Sequence, residues 1–575
     1  MRPISSPLDV ETLERFDNLG QFVKLLKEKK KHRRGKILVF AGAAISLGAP
    51  SLLPGANQLI EQTLNLLFDD RVESLIQSAG LLHQDWRQTA KQYSAARLIP
   101  PEMIYDAVYE FAGEKVFSAF ASLGDGQPNT VHRVLAALLA RGYIDHIITT
   151  NFDCLIETAL GEEGCDSDRV WKIHGSLGNN AQLVTTFRRV GKRLFDPSIL
   201  QKLESMLEDS HLLFIGYGGT DPDLLPALTQ AHIRTIDWIE IKDLTDFNQP
   251  TLKKICDATD EFRWIQGNLY TLMERVAGEL HLEDCIWPGV LANGEAKKAR
   301  EDKLAHHMQN WEADPQRRLT ESEKVLAVLQ LLYNIAPLLE EKSFEHPPGL
   351  NWDVVWSDIY RLAEAYQQKL IAEDAPFGPI QCDLHNFQAE ACLQRASVLP
   401  QRQERQKLYQ KAGPHLKAVL TRGEFNHVYV QTLLNSGVLS AGEENWRAVG
   451  KFLAGARQMV DGPQLAGYEY RLQLQARIEA NLAVYYAFTG KKRRSRKAFD
   501  CAHQLFKECG DLRGYFECCL KAAEMYLADG KRNKAIAYSE MASDVLTGLP
   551  TVGGFPQDAL ETSLDELRGR LFAST

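Results

Sequence analysis

Short polar clusters that directly follow apolar runs are the residues of this sequence best suited to chemistry. In "IITTNFD", an apolar run ends in Asn151, whose side chain offers a donor and an acceptor, and in Asp153, which offers a carboxylate. Such groups can hold sugar hydroxyls or a water molecule, but Asn and Asp are also good residues for beginning a helix. The cluster is therefore either a helix cap or the floor of an active site.

A second cluster lies in a glycine-rich turn near the N-terminus. The run "KILVFAGAA" leads into Gly42, Ala43 and Ala44, and Ser46 follows shortly afterwards. Small residues in such a turn let backbone N–H groups approach a phosphate, to which a serine hydroxyl can add a donor. Many turns after strands are rich in glycine and alanine, so this pattern alone does not establish a ligand site.

Two more apolar runs end in the same way. "VWKIHGS" leads into His174 and Ser176, and "HLLFIGYGGTDPD" leads into Gly216 and Tyr217. A single histidine is more often structural than catalytic, but four such runs form a more specific pattern than any one of them. Ligands of open parallel sheets bind outside the carboxyl ends of the strands. If these runs are parallel strands, their polar ends meet at one edge of the sheet.

The segments that must position these clusters alternate between strands and helices. Residues 8–30 predict an amphipathic helix, and the stretch 56–140 is mostly helical by its apolar spacing. The apolar positions of the first helix are Leu13, Phe16, Leu19, Val23 and Leu26. A further run, "IDWIEI", predicts another strand after "HLLFIGYG". This alternation predicts an α/β fold with a parallel, doubly wound sheet and a helical insertion beside it.

In this order, "AGAAIS…GAPSLLP", "TTNFD", "KIHGS" and "FIGYGGTDPD" resemble the sirtuin-like superfamily of NAD-consuming domains. The resemblance is to the bacterial branch rather than to the classical protein deacetylases, and it covers residues 30–245. It implies a Rossmann-like fold with a helical module beside the sheet, and NAD+ as the substrate.

The resemblance also implies a role for each matching residue. Asn151 would lie at the nicotinamide ribose and help to place the attacking water, Asp153 would support this polar site, and His174 would be the general base or the partner of a ribose hydroxyl. The other implied contacts are Gly42, Ala43, Ala44 and Ser46 at the pyrophosphate and adjoining ribose, Gly216 and Tyr217 on the adenosine side with Glu240 as a further candidate, and Thr150 and Ser176 behind the site.

Two departures from the family pattern bear on the chemistry. Ala44 replaces the usual glycine, and its methyl group either crowds the phosphate or tunes the loop. Classical deacetylases carry two cysteine pairs that bind zinc after the catalytic histidine. Their spacing is absent among Cys154, Cys165, Cys256 and Cys285. We therefore expect no zinc, and the acyl-lysine groove that the zinc module helps to form is not expected either.

Composition restricts the class of protein. The chain has 575 residues and therefore more than one domain, a net charge of -9, and ten cysteines without CxxC spacing, which is typical of a reducing, cytoplasmic compartment. The uncharged run 37–60 contains three glycines and two prolines, so we do not expect a membrane segment there. The basic clusters at 27–36 and 491–497 lack interleaved aromatic residues, so direct nucleic-acid binding is not expected.

The second half of the chain is predicted to be helical and repetitive. Placing "NLAVYYAFTGKKRRSRKAFDCA" over "KAAEMYLADGKRNKAIAYSEMA" aligns Gly490 with Gly530 and Ala502 with Ala542 at a forty-residue offset. This resembles tetratricopeptide-type helical hairpins, whose usual period is ~34 residues, although an irregular helical bundle is the alternative. A highly charged stretch precedes this half, so the predicted domains are 1–290, a linker at 291–320, and 321–575.

These observations lead to one main expectation about function. The resemblance implies an NAD+ glycohydrolase that acts as a bacterial antiphage effector by NAD+ depletion, with the helical half engaging a regulatory partner or forming a homo-oligomer. One alternative is an NAD-dependent deacylase or ADP-ribosyltransferase, which the fate of the ribose would reveal. Another is a non-catalytic sensor of NAD+ or ADP-ribose, which the alanine at position 44 keeps open.

Overall fold

The structure is a computed structural model that describes residues 18–96, 98–179, 183–194, 196–218, 224–240, 254–289, 293–340, 344–548 and 557–572. The chain forms two compact units, each discontinuous in sequence. The sheet unit comprises residues 1–63, 114–185 and 196–318, and the helical unit comprises 64–113, 186–195 and 319–575. The division into domains inferred from composition stays a prediction.

The sheet unit is built on six parallel strands. The strands β1 to β6 are Lys36–Ala41, His146–Thr149, Val170–Lys172, Ser210–Ile215, Ile233–Glu240 and Thr259–Gln266. Every neighbouring pair is parallel, and the order across the sheet is β3-β2-β1-β4-β5-β6. The predicted parallel, doubly wound sheet is therefore confirmed. The order reverses between β1 and β4, which is where open α/β sheets bind ligands.

Helices account for most of the remaining described residues. In chain order, α1 to α23 are Asn18–His32, Ala56–Leu67, Asp70–Ser78, Trp86–Ala95, Pro101–Ala112, Thr130–Ala140, Leu155–Glu162, Phe187–Leu194, Pro197–Leu207, Leu225–Gln230, Leu269–Glu279, Asn293–Ala313, Glu321–Ile335, Trp352–Ala372, Pro379–Val398, Arg402–Arg422, His427–Gly442, Trp446–Val460, Arg471–Phe488, Lys492–Cys509, Leu512–Ala528, Arg532–Gly548 and Gln557–Phe572. Leu13 and Phe16 of the first predicted helix lie outside the described residues, while Leu19, Val23 and Leu26 are buried.

Both faces of the sheet are covered by helices. On β1, Val39 belongs to the apolar core that includes side chains of α1, α6 and α11, while Leu38 and Phe40 belong to the core on the opposite face with α9 and α10. Strands buried on both faces are apolar without interruption, because successive side chains point to opposite sides. This explains why "ILVF" and "HII" could be recognised as strands from the sequence.

The edge strand β6 was missed by the sequence analysis. Its sequence, "TDEFRWIQ", carries charged residues that do not fit a fully buried strand. Arg263 forms an ion pair with a buried carboxylate on β5. Its Nε and Nη2 atoms donate to the two oxygens of Asp237 at 2.7 and 2.6 Å. An edge strand has one neighbour only, and charged side chains are common there.

The helical unit confirms the predicted helical hairpins. α19 packs on α20, and α21 packs on α22. Gly490 and Gly530, in the turns between the paired helices, have φ of 74° and 70°. Ser495, Ala502, Ala535 and Ala542 are fully buried, so small residues do lie where the helices approach each other. Assignment of these hairpins to the tetratricopeptide type stays a prediction. Within the described residues, none of the helices combines the length and the apolar character required to cross a membrane.

Candidate functional site

The turns that follow β1 and β4 pack directly against each other at the reversal of strand order. Gly42 N–H donates to the Ile215 carbonyl at 2.9 Å, and Ala44 N–H donates to the Gly216 carbonyl at 3.1 Å. A Cβ on Gly42 would lie 2.5 Å from the Gly216 oxygen. Gly216 has φ +62°, and a Cβ there would lie 2.8 Å from the Ile45 nitrogen. These glycines are required by the contact between the two turns.

Tyr270 of α11 stabilises the turn after β1 through hydrogen bonds of its hydroxyl. Its hydroxyl donates to the Ala44 carbonyl at 3.1 Å, and the Gly48 N–H donates to the same hydroxyl. Within the turn, Ala43 is exposed and Ala44 is half-buried, while Gly42 and Ser46 are buried. Ala43 is therefore the residue of this predicted binding turn that solvent reaches most freely.

Asn151 lies directly behind the β1 turn. Its Nδ2 donates to the Gly42 carbonyl at 3.3 Å, and its backbone N–H donates to the Thr149 hydroxyl at 3.0 Å. The Thr149 hydroxyl itself donates to the Ala41 carbonyl at 2.8 Å, which ties the end of β2 to the end of β1. Asn151 is 6% exposed, and its Oδ1 is buried without a hydrogen-bond partner among the residues that the structure describes. A buried acceptor without a donor costs free energy, and a ligand hydroxyl or water at this position would remove that cost.

Ser46, Asp153 and His132 form a buried chain of polar groups beside Asn151. The Ser46 hydroxyl is 3.0 Å from Asp153 Oδ2 and 3.2 Å from His132 Nε2. His132 belongs to a capping box at the start of α6, in which the Asn129 N–H donates to His132 Nδ1 at 3.3 Å. Asp153 Oδ1 accepts from Leu155 N–H at 3.1 Å at the start of α7. Asp153 therefore combines helix capping with this polar contact.

Burial controls the charge of these groups. Burial lowers the pKa of His132 to about 3, so the imidazole is neutral at physiological pH. Burial also raises the pKa of Asp153 above its usual value, although the Leu155 amide, Lys172 and the Ser46 hydroxyl oppose that shift. The ionised carboxylate and the neutral imidazole can both be satisfied if His132 Nε2–H donates to Ser46 and Ser46 donates to Asp153. If Asp153 takes up a proton, the same bonds can reverse direction, with Nδ1–H donating to Asn129 Oδ1 at 2.9 Å.

His174 lies one strand further along the sheet, beyond the end of β3. The pairing of β3 with β2 continues past the strand end, because Ile173 N–H donates to the Thr149 carbonyl at 2.9 Å. His174 is 5% exposed, and its carbonyl accepts from Val184 N–H at 2.9 Å. Thr150 and Ser176 are half-buried in the same segments. The structure thus places His174 beside the polar end of β2.

Glu240 is not brought together with the groups above, and Tyr217 meets them through its backbone only, since a Cβ on Gly42 would lie 2.6 Å from the Tyr217 Cα. The Tyr217 ring is buried and packs in the core, with its centroid 4.5 Å from that of Phe40 and 6.0 Å from that of Trp238. Glu240 ends β5, which is separated from β2 by β4 and β1. The predicted adenosine side therefore consists, in this structure, of the Gly216 turn rather than of the Tyr217 ring. A role for either residue in binding NAD+ stays a prediction.

Sequence reasoning missed four groups that shape this site: Thr149, Asn129, His132 and Tyr270. A usable signal existed for two of them, because the "NTVH" segment has the spacing of a helix cap with a partner three residues later. Thr149 was passed over in favour of Thr150, since the last inward-facing residue of a strand cannot be fixed without its neighbour. No local pattern marks Tyr270.

Comparison with known proteins agrees with part of these expectations. A family model described as a SIR2-like domain matches residues 145–237. The matched stretch begins just before β2 and ends within β5, so it contains Asn151, Asp153, His174 and Gly216 but not the turn after β1. The comparison with curated proteins found no match. A SIR2-like domain with a helical C-terminal region is therefore present, and it indicates NAD-related activity in general.

Proposed function

We propose that this protein is an NAD+ glycohydrolase, which uses water to cleave NAD+ into nicotinamide and ADP-ribose. The observation that carries this proposal is Asn151, whose Oδ1 is buried with no partner in the described part of the chain, while its Nδ2 donates to the Gly42 carbonyl. It lies where β1 and β2 end, within the SIR2-like stretch and next to the reversal of strand order. An oriented, unsatisfied acceptor at this position fits a ribose hydroxyl or a water molecule.

The reaction breaks the bond between the nicotinamide nitrogen and the anomeric carbon of the ribose. Nicotinamide leaves with the bonding electron pair, a water oxygen forms the new bond to that carbon, and one proton is released. Positive charge develops at the anomeric carbon as the bond lengthens, as in glycoside hydrolysis generally. The protein must therefore orient the ribose, place the water and accept the proton.

The side chains divide these tasks. Asn151 accepts a hydrogen bond from the ribose hydroxyl or the water, and the Gly42 carbonyl fixes the orientation of its amide. His174, near the end of β3, accepts the proton, a role that suits a histidine at neutral pH. Asp153 is engaged by Ser46 and by the Leu155 N–H, so it acts as a positioning residue that holds the turn after β1 against α7.

The test is NAD+ turnover by the full-length protein, followed by chromatography. We expect wild type to release nicotinamide and ADP-ribose, and Asn151→Ala to lower the rate by about 100-fold to 1000-fold, as for the loss of one oriented polar group at a reacting centre. Asn310→Ala, at an exposed position of α12, is the matched control and should retain the wild-type rate. Equal rates for wild type and Asn151→Ala would contradict the assignment of this site.

The products also separate the alternatives. O-acyl-ADP-ribose in the presence of an acylated peptide would establish a deacylase, and a protein carrying ADP-ribose would establish a transferase. NAD+ that binds but stays intact, with the protein alone and with the products of its neighbouring genes, would favour a sensor. The absence of zinc stays a prediction, which metal analysis of the purified protein would check.

We further propose that the protein acts in the bacterial cytoplasm as a regulated antiphage effector. An enzyme that consumes a shared cofactor must be inactive until it is triggered, so the helical unit is proposed to engage a regulatory partner or a second copy of the chain. Infection of cells that express wild type should lower cellular NAD+, whereas cells that express Asn151→Ala should maintain it. Unchanged NAD+ in infected wild-type cells, with protein that is active in vitro, would contradict the defence role alone.

A further inference from the structure

The helical unit encloses a polar cavity of ≈ 570 Å³. All of its lining residues belong to this unit and come from α5, α8 and a series of helices between α13 and α21. Its volume lies within the range of ~300–1,000 Å³ that is usual for sites of small ligands. The lining includes six carboxylates, Asp106, Glu110, Asp383, Glu390, Asp511 and Glu517, and four basic side chains, Arg188, Arg477, Arg513 and Lys521.

Several of these carboxylates have a partner in the wall. Arg188 lies 3.4 Å from Asp106 and 3.3 Å from Glu110. Arg513 lies 2.9 Å from Glu517. Two further carboxylates accept hydrogen bonds from neutral groups. The Tyr333 hydroxyl donates to Glu390 at 3.0 Å, and the Gln473 amide donates to Asp511 at 2.8 Å.

Asp383 is the exception. Within the described part of the chain, no side chain forms an ion pair or a hydrogen bond with its carboxylate. Burial raises the pKa of Asp383 well above its usual value, and the neighbouring Glu110 carboxylate raises it further. Asp383 and Glu110 are both half-buried, and an acid in such a place beside a second carboxylate is costly to ionise unless a cation arrives. The carboxylates of the cavity outnumber its basic side chains, and this excess of negative charge lies around Asp383 and Glu110.

Aromatic rings surround this acidic part of the cavity. Phe111 and Phe387, which both line it, have ring centroids 6.2 Å apart. Tyr468 stacks on His427 with centroids 4.4 Å apart, and the charge of Glu110 acts on both rings. The wall already contains one cation stacked on an aromatic ring, since the guanidinium of Arg188 lies 3.6 Å from the centroid of Tyr470. Aromatic faces next to carboxylates attract organic cations.

We propose that this cavity is a binding site for an organic cation, a guanidinium or primary ammonium group, whose charge is taken by Asp383 and Glu110 between the rings of Phe111, Phe387 and Tyr468. This site is separate from the groups at the sheet edge and does not depend on NAD+ cleavage. The cation can come from a basic side chain of a peptide or from a free amine.

Three buried polar atoms in the wall favour the peptide as the source. Within residues 98–179, 183–194 and 344–548 and the other described segments, Asp106 Oδ1, Arg188 Nη1 and the Tyr470 hydroxyl have no hydrogen-bond partner. They offer an acceptor, a donor and a group that can do either, which matches the carbonyl and N–H groups of a peptide bond. A free amine brings the charge but no amide, so it would leave these atoms unsatisfied.

The experiment is calorimetric titration of the full-length protein with three probes: acetyl-Gly-Arg-Gly-amide, agmatine, and acetyl-Gly-Glu-Gly-amide as the acidic control. We expect the arginine peptide to bind and the glutamate peptide not to bind. Asp383→Asn should weaken the arginine peptide by about 30-fold or more, because it removes one member of a buried charge pair. Glu404→Gln changes the net charge equally at an exposed position of α16 and should bind as wild type does.

Each outcome decides the question. Binding of the peptide but not of agmatine assigns the site to a peptide, and comparable binding of agmatine assigns it to a free amine. No binding of either cation to folded wild type, or equal binding by Asp383→Asn, would overturn the proposal. Asp383→Asn removes a half-buried carboxylate that has no partner among the described residues, so the melting temperature of the variant should not fall below that of wild type. A lower melting temperature would show that the carboxylate serves the fold instead.

Discussion

At the scale of single residues, the candidate site is defined by how its polar groups are satisfied. Ser46, His132 and Asp153 are hydrogen-bonded to one another inside the protein, whereas Asn151 retains an acceptor that no described residue contacts by a hydrogen bond. The first three groups therefore hold the turn after β1 in place, and Asn151 is the group that we propose contacts a ligand. The apparent Ser-His-Asp combination is not a nucleophilic triad, because the serine lies between the other two and is itself buried.

The neutrality of His132 predicts an acid-sensitive fold. Its pKa is lowered to about 3 by burial, while the unfolded chain has the ordinary value of about 6.5. As the pH falls below about 6.5, His132 binds a proton in the unfolded state but stays neutral in the folded state. The free energy of unfolding therefore falls until about pH 3. At pH 5 the expected loss from this one group is about 2 kcal/mol.

The measurement is urea denaturation of wild type and His132→Gln at pH 7 and at pH 5. Glutamine can keep a hydrogen bond to Ser46 but cannot acquire the charge. We therefore expect the variant to be less stable than wild type at pH 7 and to lose about 2 kcal/mol less on acidification. An identical loss in both proteins would contradict a buried, neutral His132.

At the scale of elements, the site depends on two turns that fit together only without side chains. Gly42 and Gly216 come from turns after β1 and β4, which are neighbours in the sheet. This explains the glycines without any ligand, so a glycine-rich turn after a strand is weaker support for phosphate binding than its composition suggests. Ala44 fits the same view, because its N–H is already bonded to the Gly216 carbonyl.

We expect Gly42→Ala to lower the free energy of unfolding by about 1–3 kcal/mol, as in other overpacked positions. The added methyl group would lie 2.5 Å from the Gly216 oxygen, and neither backbone can move without breaking the pairing of β1 with β4. Gly161→Ala is the matched control, since no atom lies within 4 Å of its added Cβ on the surface of α7.

Denaturation midpoints of the two variants check this prediction. Gly161→Ala should equal wild type or exceed it by up to about 1 kcal/mol, because alanine is the better helix former. Wild-type stability of Gly42→Ala would show that the two turns do not need their close contact.

At the scale of the whole molecule, residues distant in sequence form one unit. Residues 64–113 belong to the helical unit, although more than two hundred residues separate them from its C-terminal part. Asp358 of α14 contributes to this association. Its carboxylate is fully buried and accepts from Leu82 N–H at 2.6 Å, His83 N–H at 2.9 Å and Trp86 Nε1 at 3.1 Å.

Asp358→Ala should destabilise the helical unit by about 3 kcal/mol or more, because it leaves three donors, including the fully buried Trp86 N–H, without an acceptor. Asp353→Ala on the same helix removes an exposed ion pair with Arg395 and should cost about 1 kcal/mol or less. Hydrogen–deuterium exchange of residues 70–95 provides the readout. Faster exchange is expected in Asp358→Ala only, and equal exchange in both variants would contradict the role of Asp358.

Local patterns were sufficient for five of the six strands and for the helical hairpins, but not for β6. Uninterrupted apolar runs predicted β1, β2 and β4, since strands buried on both faces have no polar side, and β3 and β5 were recognised from "VWKIHG" and "IDWIEI". The glycine and small-residue pattern predicted the hairpins, because it marks where a helix must turn and where two helices must approach closely. Polar residues after the strand ends predicted the sheet edge at which the candidate site is proposed.

Only the tertiary structure decided which of these residues meet. Ser46 reaches Asp153 across 107 positions of sequence and His132 across 86, and the Gly42 turn meets the Gly216 turn because β1 lies between β2 and β4. The order of strands, the charged edge strand β6 and the grouping of residues 64–113 with the C-terminal helices depend on contacts between distant segments. Periodicity reports which face of an element is buried, but it carries no information on which partner buries it.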